Sequence, residues 1–286
     1  MEMRRFPARR QRPTPTDCRR TLAGGAAVAL LLMATAGSAQ EVEGESPGIE
    51  ITIPIEFDFD FGASNGDAVI SRYLPLVAFP LGEDWKLINL TLAVVADAPG
   101  GVPGRPGNPN PVPGDRVFGL GDLTHAVFFT PPASKRLVWS FGPAVTFPIA
   151  TDDALGSGKW SLGPAFRFAY RPGPWNLGAV FVNLRSVAGD SDRAKVHQLL
   201  VRGLIRRQLG GSWYFTYSPI ITANWNASSG QRWLVPIGGG IGKGFRLGSA
   251  PVALSVHGYF NVIKPEGAPD GLVRFDFILP LPRILR

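Results

Sequence analysis

The chain has 286 residues, 45% of them hydrophobic and 18% charged, with a formal charge of +7 and one cysteine. So much apolar material excludes a disordered chain, and a single cysteine excludes a disulfide-stapled scaffold. The positive charge is concentrated at one end, which decides what it means.

Residues 1–39 have the layout of an export signal. Arg4, Arg5, Arg9, Arg10, Arg12, Arg19 and Arg20 precede an apolar run from Leu22 to Ala34, and Gly37 and Ala39 are small residues placed for cleavage before Gln40. The run falls short of the roughly 20 residues a spanning helix needs. Arg19-Arg20 resembles a twin-arginine signal, but a membrane barrel must be exported unfolded, which favours general secretion. Losing the seven arginines together with Glu2 and Asp17 takes the formal charge from +7 to +2. The basic balance therefore gives no reason to expect a nucleic-acid partner. Cys18 leaves with the same segment, so no disulfide holds the mature chain.

An acidic linker at 40–48 leads into a chain with no apolar run of helical spanning length. Instead, β-like runs of about ten residues recur near 49–60, 69–79, 84–96, 117–130, 136–148, 159–170, 174–187, 195–208, 212–225, 231–245, 252–263 and 271–280. Each has about the length of a tilted membrane-crossing strand, and twelve is an even number, as single-chain bacterial barrels require. The alternation is sharpest from 137 to 170. There Leu137, Trp139, Phe141, Val145, Phe147, Trp160, Leu162, Phe166, Phe168 and Tyr170 share one face, and Ser140, Gly142, Ala144, Ser161, Gly163, Ala165 and Arg167 the other. The facing of 84–96 and 174–187 is ambiguous, and Pro75, Pro143, Pro164 and Pro219 fall inside runs where each removes a ladder donor.

Connections two, four, six, eight and ten are tight (PLGE, PPASK, RPGP, LGGS, RLGSA), while the alternate ones are longer and more polar. Sorting loops by parity is what a barrel with short periplasmic turns and longer outer loops does. The Pro/Gly tract from Ala98 to Arg116 cannot pair as a strand and reads as a mobile outer loop. Trp85, Trp139, Trp175 and Trp213 fall at one rim, and Trp160, Trp225 and Trp233 at the other, as two aromatic girdles would.

These features predict an all-β protein: a transmembrane antiparallel β-barrel of about 12 strands over 49–281, with a short tail at 282–286, in the cell outer membrane. Parity then turns Glu56, Asp58, Asp60, Asp122, Arg167, Arg202, Arg206, His257, Arg274 and Asp276 toward the lumen. An arginine facing lipid at midplane would cost about 2–4 kcal/mol. These charges either pair as structural networks or line a pore. The small lumen set, which also includes Thr216, Ser218, Gly238 and Gly240, predicts a narrow water-filled path.

Candidate chemistry is sparse. GGGIGKGF (238–245) lacks the phosphate-loop spacing and any following Ser or Thr. Asp152, Asp153, Asp190 and Asp192 lie on outer loops where carboxylates can meet a cation, but solvated loops facing lipopolysaccharide are the favoured explanation. Ser255 and His257 share a face, without an identifiable carboxylate to orient the imidazole. No catalytic, cofactor or metal site is expected.

The segments FGLGDLTHAVFFTP (118–131), FGPAVTFPIATDD (141–153), GSGKWSLGP (156–164), AGDSDRA (188–194) and SPIITANWNASSGQRWLVPIGGGIGK (218–243) resemble the bacterial outer-membrane transporter-like group often labelled "neuromedin U". That group is related to the phenol-degradation meta-pathway barrels. The resemblance implies an outer-membrane barrel of unassigned substrate, linked to hydrophobic or aromatic compounds, and supplies no catalytic residues. The ending LPLPRILR departs from the aromatic terminus usual in such barrels. The reading is passive transport of small solutes. Expected partners are outer-membrane lipid and lipopolysaccharide, the barrel-assembly machinery and a small-molecule solute. A structural or surface-interaction barrel with a closed lumen is the alternative, and a soluble periplasmic β-protein the third.

Overall fold

The computed structural model describes residues 48–281 and 284–285, apart from 83, 111, 133–135 and 249. The predicted signal segment and linker residues 40–47 lie outside the described residues. The strands are β1 (Gly48–Phe61), β2 (Ala68–Tyr73), β3 (Leu76–Leu81), β4 (Trp85–Pro99), β5 (Arg116–Leu120), β6 (Leu123–Thr130), β7 (Leu137–Phe147) and β8 (Lys159–Tyr170). They continue as β9 (Trp175–Gly189), β10 (His197–Gly210), β11 (Trp213–Tyr217), β12 (Ile220–Asn224), β13 (Trp233–Leu247), β14 (Ala250–Ile263), β15 (Gly271–Pro280) and β16 (Ile284–Leu285).

The pairs β2/β3, β5/β6 and β11/β12 each form one broken stave. Twelve antiparallel staves therefore close into a ring, from β1 around to β15, which pairs back onto β1 from Thr52↔Pro280 to Phe61↔Gly271. Closure satisfies every edge, as a chain crossing a bilayer on strands must. Two residues of the expected tail join the ladder: Ile284 and Leu285 pair with Ile49 and Gly48.

The alternation sorts the two faces. Phe57, Phe59, Trp139, Phe141, Leu162, Phe166, Ile241 and Phe275 are exposed on the outside, whereas Glu56, Asp58, Ser140, Ser161, Arg167 and Arg274 are buried inside. A soluble β-protein would leave this apolar band in water; in a transmembrane barrel it meets lipid. In β4 and β9, whose sequences left the facing open, the even-numbered residues turn inward: Ile88, Ala96, Ala98, Val180 and Leu184 are buried.

The four internal prolines have two structural explanations. Pro75 and Pro219 occupy the breaks between β2 and β3 and between β11 and β12, where Thr91 N and Gly203 N still donate to their carbonyls at 3.0 and 3.2 Å. Pro143 and Pro164 stand directly opposite one another in the β7–β8 pair. Each follows a glycine, and each interrupts the ladder to its other neighbour: the register between β6 and β7 skips Gly142–Pro143, and that between β8 and β9 skips Gly163–Pro164. A Cβ on Gly142 would lie 1.8 Å from Val127 O, and one on Gly163 would lie 1.7 Å from Asn183 O. The missing donor and the missing side chain thus coincide, letting the adjacent strand swing over the glycine. The third break, at Gly121–Asp122, is a bulge: Leu120 points out and Asp122 in.

Candidate functional site

The ten charged residues expected in the lumen are all buried or half-buried on the inner side. Asp58 lies at the centre of a network with no solvent exposure. Arg274 grips it in a two-pronged fork, Nε to Oδ1 at 2.6 Å and Nη2 to Oδ2 at 2.8 Å, and Arg72 bonds its second oxygen. Arg274 Nη1 also donates to Ser218 O at 3.1 Å. Glu56 takes Arg202, which reaches it from β10, nearly the opposite wall of the ring. The bridge therefore crosses the lumen. Arg206 lies over the ring of the fully buried Tyr214, 4.3 Å from its centroid.

Asp122 does not join this cluster. It anchors the β7–β8 loop by accepting from Ser157 N and Ser157 Oγ, both at 2.7 Å, and from Ala150 N at 3.3 Å.

Asp276 supplies the carboxylate that the sequence did not reveal beside Ser255 and His257. Its Oδ2 lies 2.9 Å from His257 Nε2, and Ser255 Oγ lies 3.1 Å from the same nitrogen. The other ring nitrogen faces Tyr259 Oη at 3.0 Å. A hydrolytic relay needs acid and nucleophile on opposite ring nitrogens. With both on Nε2, the imidazole joins the network as a structural member.

The small residues of β13 do not leave a water path as expected. A Cβ on Gly242 would lie 2.2 Å from the Tyr214 ring, and one on Gly240 would lie 2.6 Å from the His257 ring. The glycines make room for aromatic rings, so the space directly over Gly240 and Gly242 is occupied by protein. Arg72, Tyr214 and Tyr259 were not singled out in the sequence, although Arg72 shares the inward parity of Ala68 and Ile70.

The opposite half of the lumen holds a cavity of about 130 Å³. Leu74, Leu76, Leu90, Leu92, Val180, Val182, Leu200 and Ile220 form apolar walls, with Ala126 and Thr124 on one side. Arg72, Arg167 and Arg202 also contribute to the lining, as do Pro54 and Val201, and it includes no carboxylate. Next to it, a cluster of buried residues including Ala78, Ile88, Phe128 and Leu204 packs inside the barrel.

Its roof is the Pro/Gly tract. Far from projecting as a mobile loop, residues 101–110 have no exposed member. The tract leaves β4 and fastens to β10 and β12 across the ring. Gln198, fully buried, accepts from Gly107 N at 2.8 Å and donates to Arg105 O at 3.0 Å. Thr222 Oγ1 donates to Gly104 O at 3.2 Å, Asn224 Nδ2 to Asn110 Oδ1 at 3.1 Å, and Asn110 Nδ2 to Lys195 O at 2.9 Å. Pro106 and Gly107 lie against the cavity. The backbone polar groups of a tract without secondary structure are thus met by side chains from the far wall. Burial lowers the pKa of the Arg105 guanidinium, opposed by the Asp60 carboxylate.

The tryptophans stand at the strand ends. Trp85, Trp139, Trp175 and Trp213 lie beside tight turns and are exposed, as is Trp160 at the long-loop end. Trp225 and Trp233 meet edge to face at 5.6 Å there, and Trp225 Nε1 donates to Asn183 Oδ1 at 2.9 Å. At the long-loop end Asp153 pairs with Arg193 at 2.9 Å, and Lys159 bonds Asp190 O. No group of three His, Cys, Asp or Glu residues placed to hold a metal ion occurs among the described residues.

The fold and interior together define a twelve-stranded transmembrane β-barrel with a chambered, loop-roofed lumen. No protein-family model and no curated protein matches the sequence. Among solved structures, the chain is similar to an outer membrane channel from Pseudomonas putida F1, with 11% identity and a TM-score of 0.56 over 83% of this chain and 97% of that one. At that identity the likeness is one of fold. CdiB from Acinetobacter baumannii (12% identity, TM-score 0.36, 81% of this chain and 60% of that one) and OmpT of Vibrio cholerae (9%, 0.36, 84% and 98%) also match.

Proposed function

We propose that this protein is an outer-membrane barrel that passes small, compact hydrophobic or aromatic solutes passively, without covalent chemistry. The observation that carries the reading is the apolar chamber inside the lumen. A purely structural barrel gains from filling such a space, since each empty volume forfeits packing. The name of the Pseudomonas putida structure, an outer membrane channel, supports the same reading, as does the sequence resemblance to transporter-like barrels. Lipid and lipopolysaccharide would meet the outer face, and the barrel-assembly machinery would insert the chain. The cross-lumen Arg202–Glu56 bridge and the tract over the chamber favour a second reading, a barrel closed for good.

The two are separated by uptake of radiolabelled toluene and benzoate into Gram-negative cells, with and without the barrel. Folding is verified by altered gel migration of the unboiled protein. The channel reading expects faster uptake of at least one solute. A folded barrel that accelerates neither would establish the closed structure.

A further inference from the structure

The outward apolar band is interrupted near the tight turns by two cations. Arg207 of β10 and Lys243 of β13 are exposed, and parity turns them outward, since their neighbours Arg206 and Gly242 are buried inside. Around them Ile205, Leu209, Phe215, Ile241 and Phe245 are exposed as well. Each cation leans on a tryptophan of the tight-turn rim. Arg207 stands opposite Trp175 in the β9–β10 ladder, its guanidinium carbon 5.3 Å from the indole centroid. Lys243 stands opposite Trp213, its Nζ 5.0 Å from the ring centroid. A ring face attracts a cation but offers it no lone pair. Neither charged group has a hydrogen bond or an ion pair among the described residues.

A charge on the lipid-facing side of a barrel is tolerated where its head reaches the headgroup layer and its aliphatic stem lies along apolar surface. Tryptophan marks that layer. The anions available at this height are lipid phosphates, whose oxygens suit both a guanidinium fork and an ammonium. The two cations also belong to one place. Phe215, the β11 partner of Arg207, pairs in turn with Ile241, two residues from Lys243. Strands about 4.8 Å apart put the two Cα atoms roughly 12 Å from each other, a gap that two long side chains span around a single phosphodiester. The tight-turn end is basic as a whole. Lys86, Arg136 and Arg246 stand there against one exposed carboxylate among the described residues, Asp84, whereas exposed Asp67, Asp153, Asp192 and Asp270 stand at the long-loop end.

We propose that Trp175, Arg207, Trp213 and Lys243 form a site on the outside of the barrel for one anionic phospholipid, of the phosphatidylglycerol type, from the leaflet at the tight-turn end. Its phosphate accepts from Arg207 and Lys243, its acyl chains lie over Phe215 and Ile241, and the indoles hold both cations at headgroup height. A zwitterionic lipid carries its own cation beside the phosphate, which competes with the protein's two. The site belongs to the transmembrane wall and does not depend on whether a solute passes through the chamber.

Native mass spectrometry of the full-length mature barrel in non-ionic detergent tests this, with phosphatidylglycerol and phosphatidylcholine of identical acyl chains as probes. One phosphatidylglycerol should be retained per barrel, about tenfold more tightly than phosphatidylcholine, whose choline contests the charge-assisted hydrogen bonds. Arg207→Gln combined with Lys243→Gln should abolish that preference, while Arg207→Lys combined with Lys243→Arg should keep most of it. Arg246→Gln, which removes a charge from the same end, should leave it unchanged. Gel migration confirms that each variant is folded. Equal retention of the two lipids overturns the proposal, as does a preference that survives the double Gln variant or that Arg246→Gln lowers as much. Stronger retention of lipopolysaccharide through Arg207 and Lys243 also overturns it, because this end would then face the other leaflet.

Discussion

Replacing Asp58 by Asn should be among the most damaging single changes in the barrel. Two buried guanidinium groups, Arg72 and Arg274, converge on this fully buried carboxylate. Removing its charge leaves both cations inside with their Coulombic partner gone, and breaking a buried pair in this way typically costs about 3–5 kcal/mol. The loss spreads, because Arg274 also holds Ser218 O and approaches Glu56 at 3.9 Å. Asp97→Asn is the matched control: both side chains of its pair with Arg116, at 2.7 Å, are nearly half exposed to solvent. Such a pair contributes about 0–1 kcal/mol. Denaturant unfolding in lipid vesicles, followed by tryptophan fluorescence, should show a large loss for Asp58→Asn and almost none for Asp97→Asn. Equal midpoints would mean that the network carries no stability.

Fastening the tract should act on flux and leave stability intact. Cys18 is the only cysteine and lies in the predicted signal segment, so introduced thiols report without background. Asn110 and Asn224 touch through their side-chain amides at 3.1 Å, one on the tract and one on the far wall. In the Asn110→Cys, Asn224→Cys double variant, a short bifunctional maleimide should join roof to wall. Uptake of benzoate and toluene should then fall to that of cells lacking the barrel, while each single variant treated alike keeps its rate. Unchanged uptake in the crosslinked protein would show that solutes pass without moving the tract.

The barrel was legible in the sequence because its signal is local. A period of two over ten residues, a tight turn and a long loop need no distant partner to be read. Glu56, Asp58, Arg202 and Arg274 could be turned inward by parity alone, but parity gives a face and not a partner. Their pairing depends on which staves the closed ring sets opposite one another. The tract from Ala98 to Arg116 shows the limit most clearly. Its composition is that of a mobile segment, yet its order comes from Gln198, Thr222 and Asn224, about a hundred residues away. The crowding over β13 is hidden from the sequence for a similar reason. Gly240 and Gly242 signal space along their own strand, and the rings of His257 and Tyr214 that use it belong to the neighbouring strands.

That solutes travel through the chamber itself is tested most directly by filling it. Ala126 is buried and lines the cavity, so Ala126→Trp places an indole in about 130 Å³ of space. Overpacking of this kind costs about 1–3 kcal/mol, which a closed barrel can absorb. With gel migration confirming the folded state, uptake of toluene and benzoate should drop to the level of cells without the barrel. Wild-type uptake through a folded Ala126→Trp barrel would contradict the account, placing the path outside the chamber.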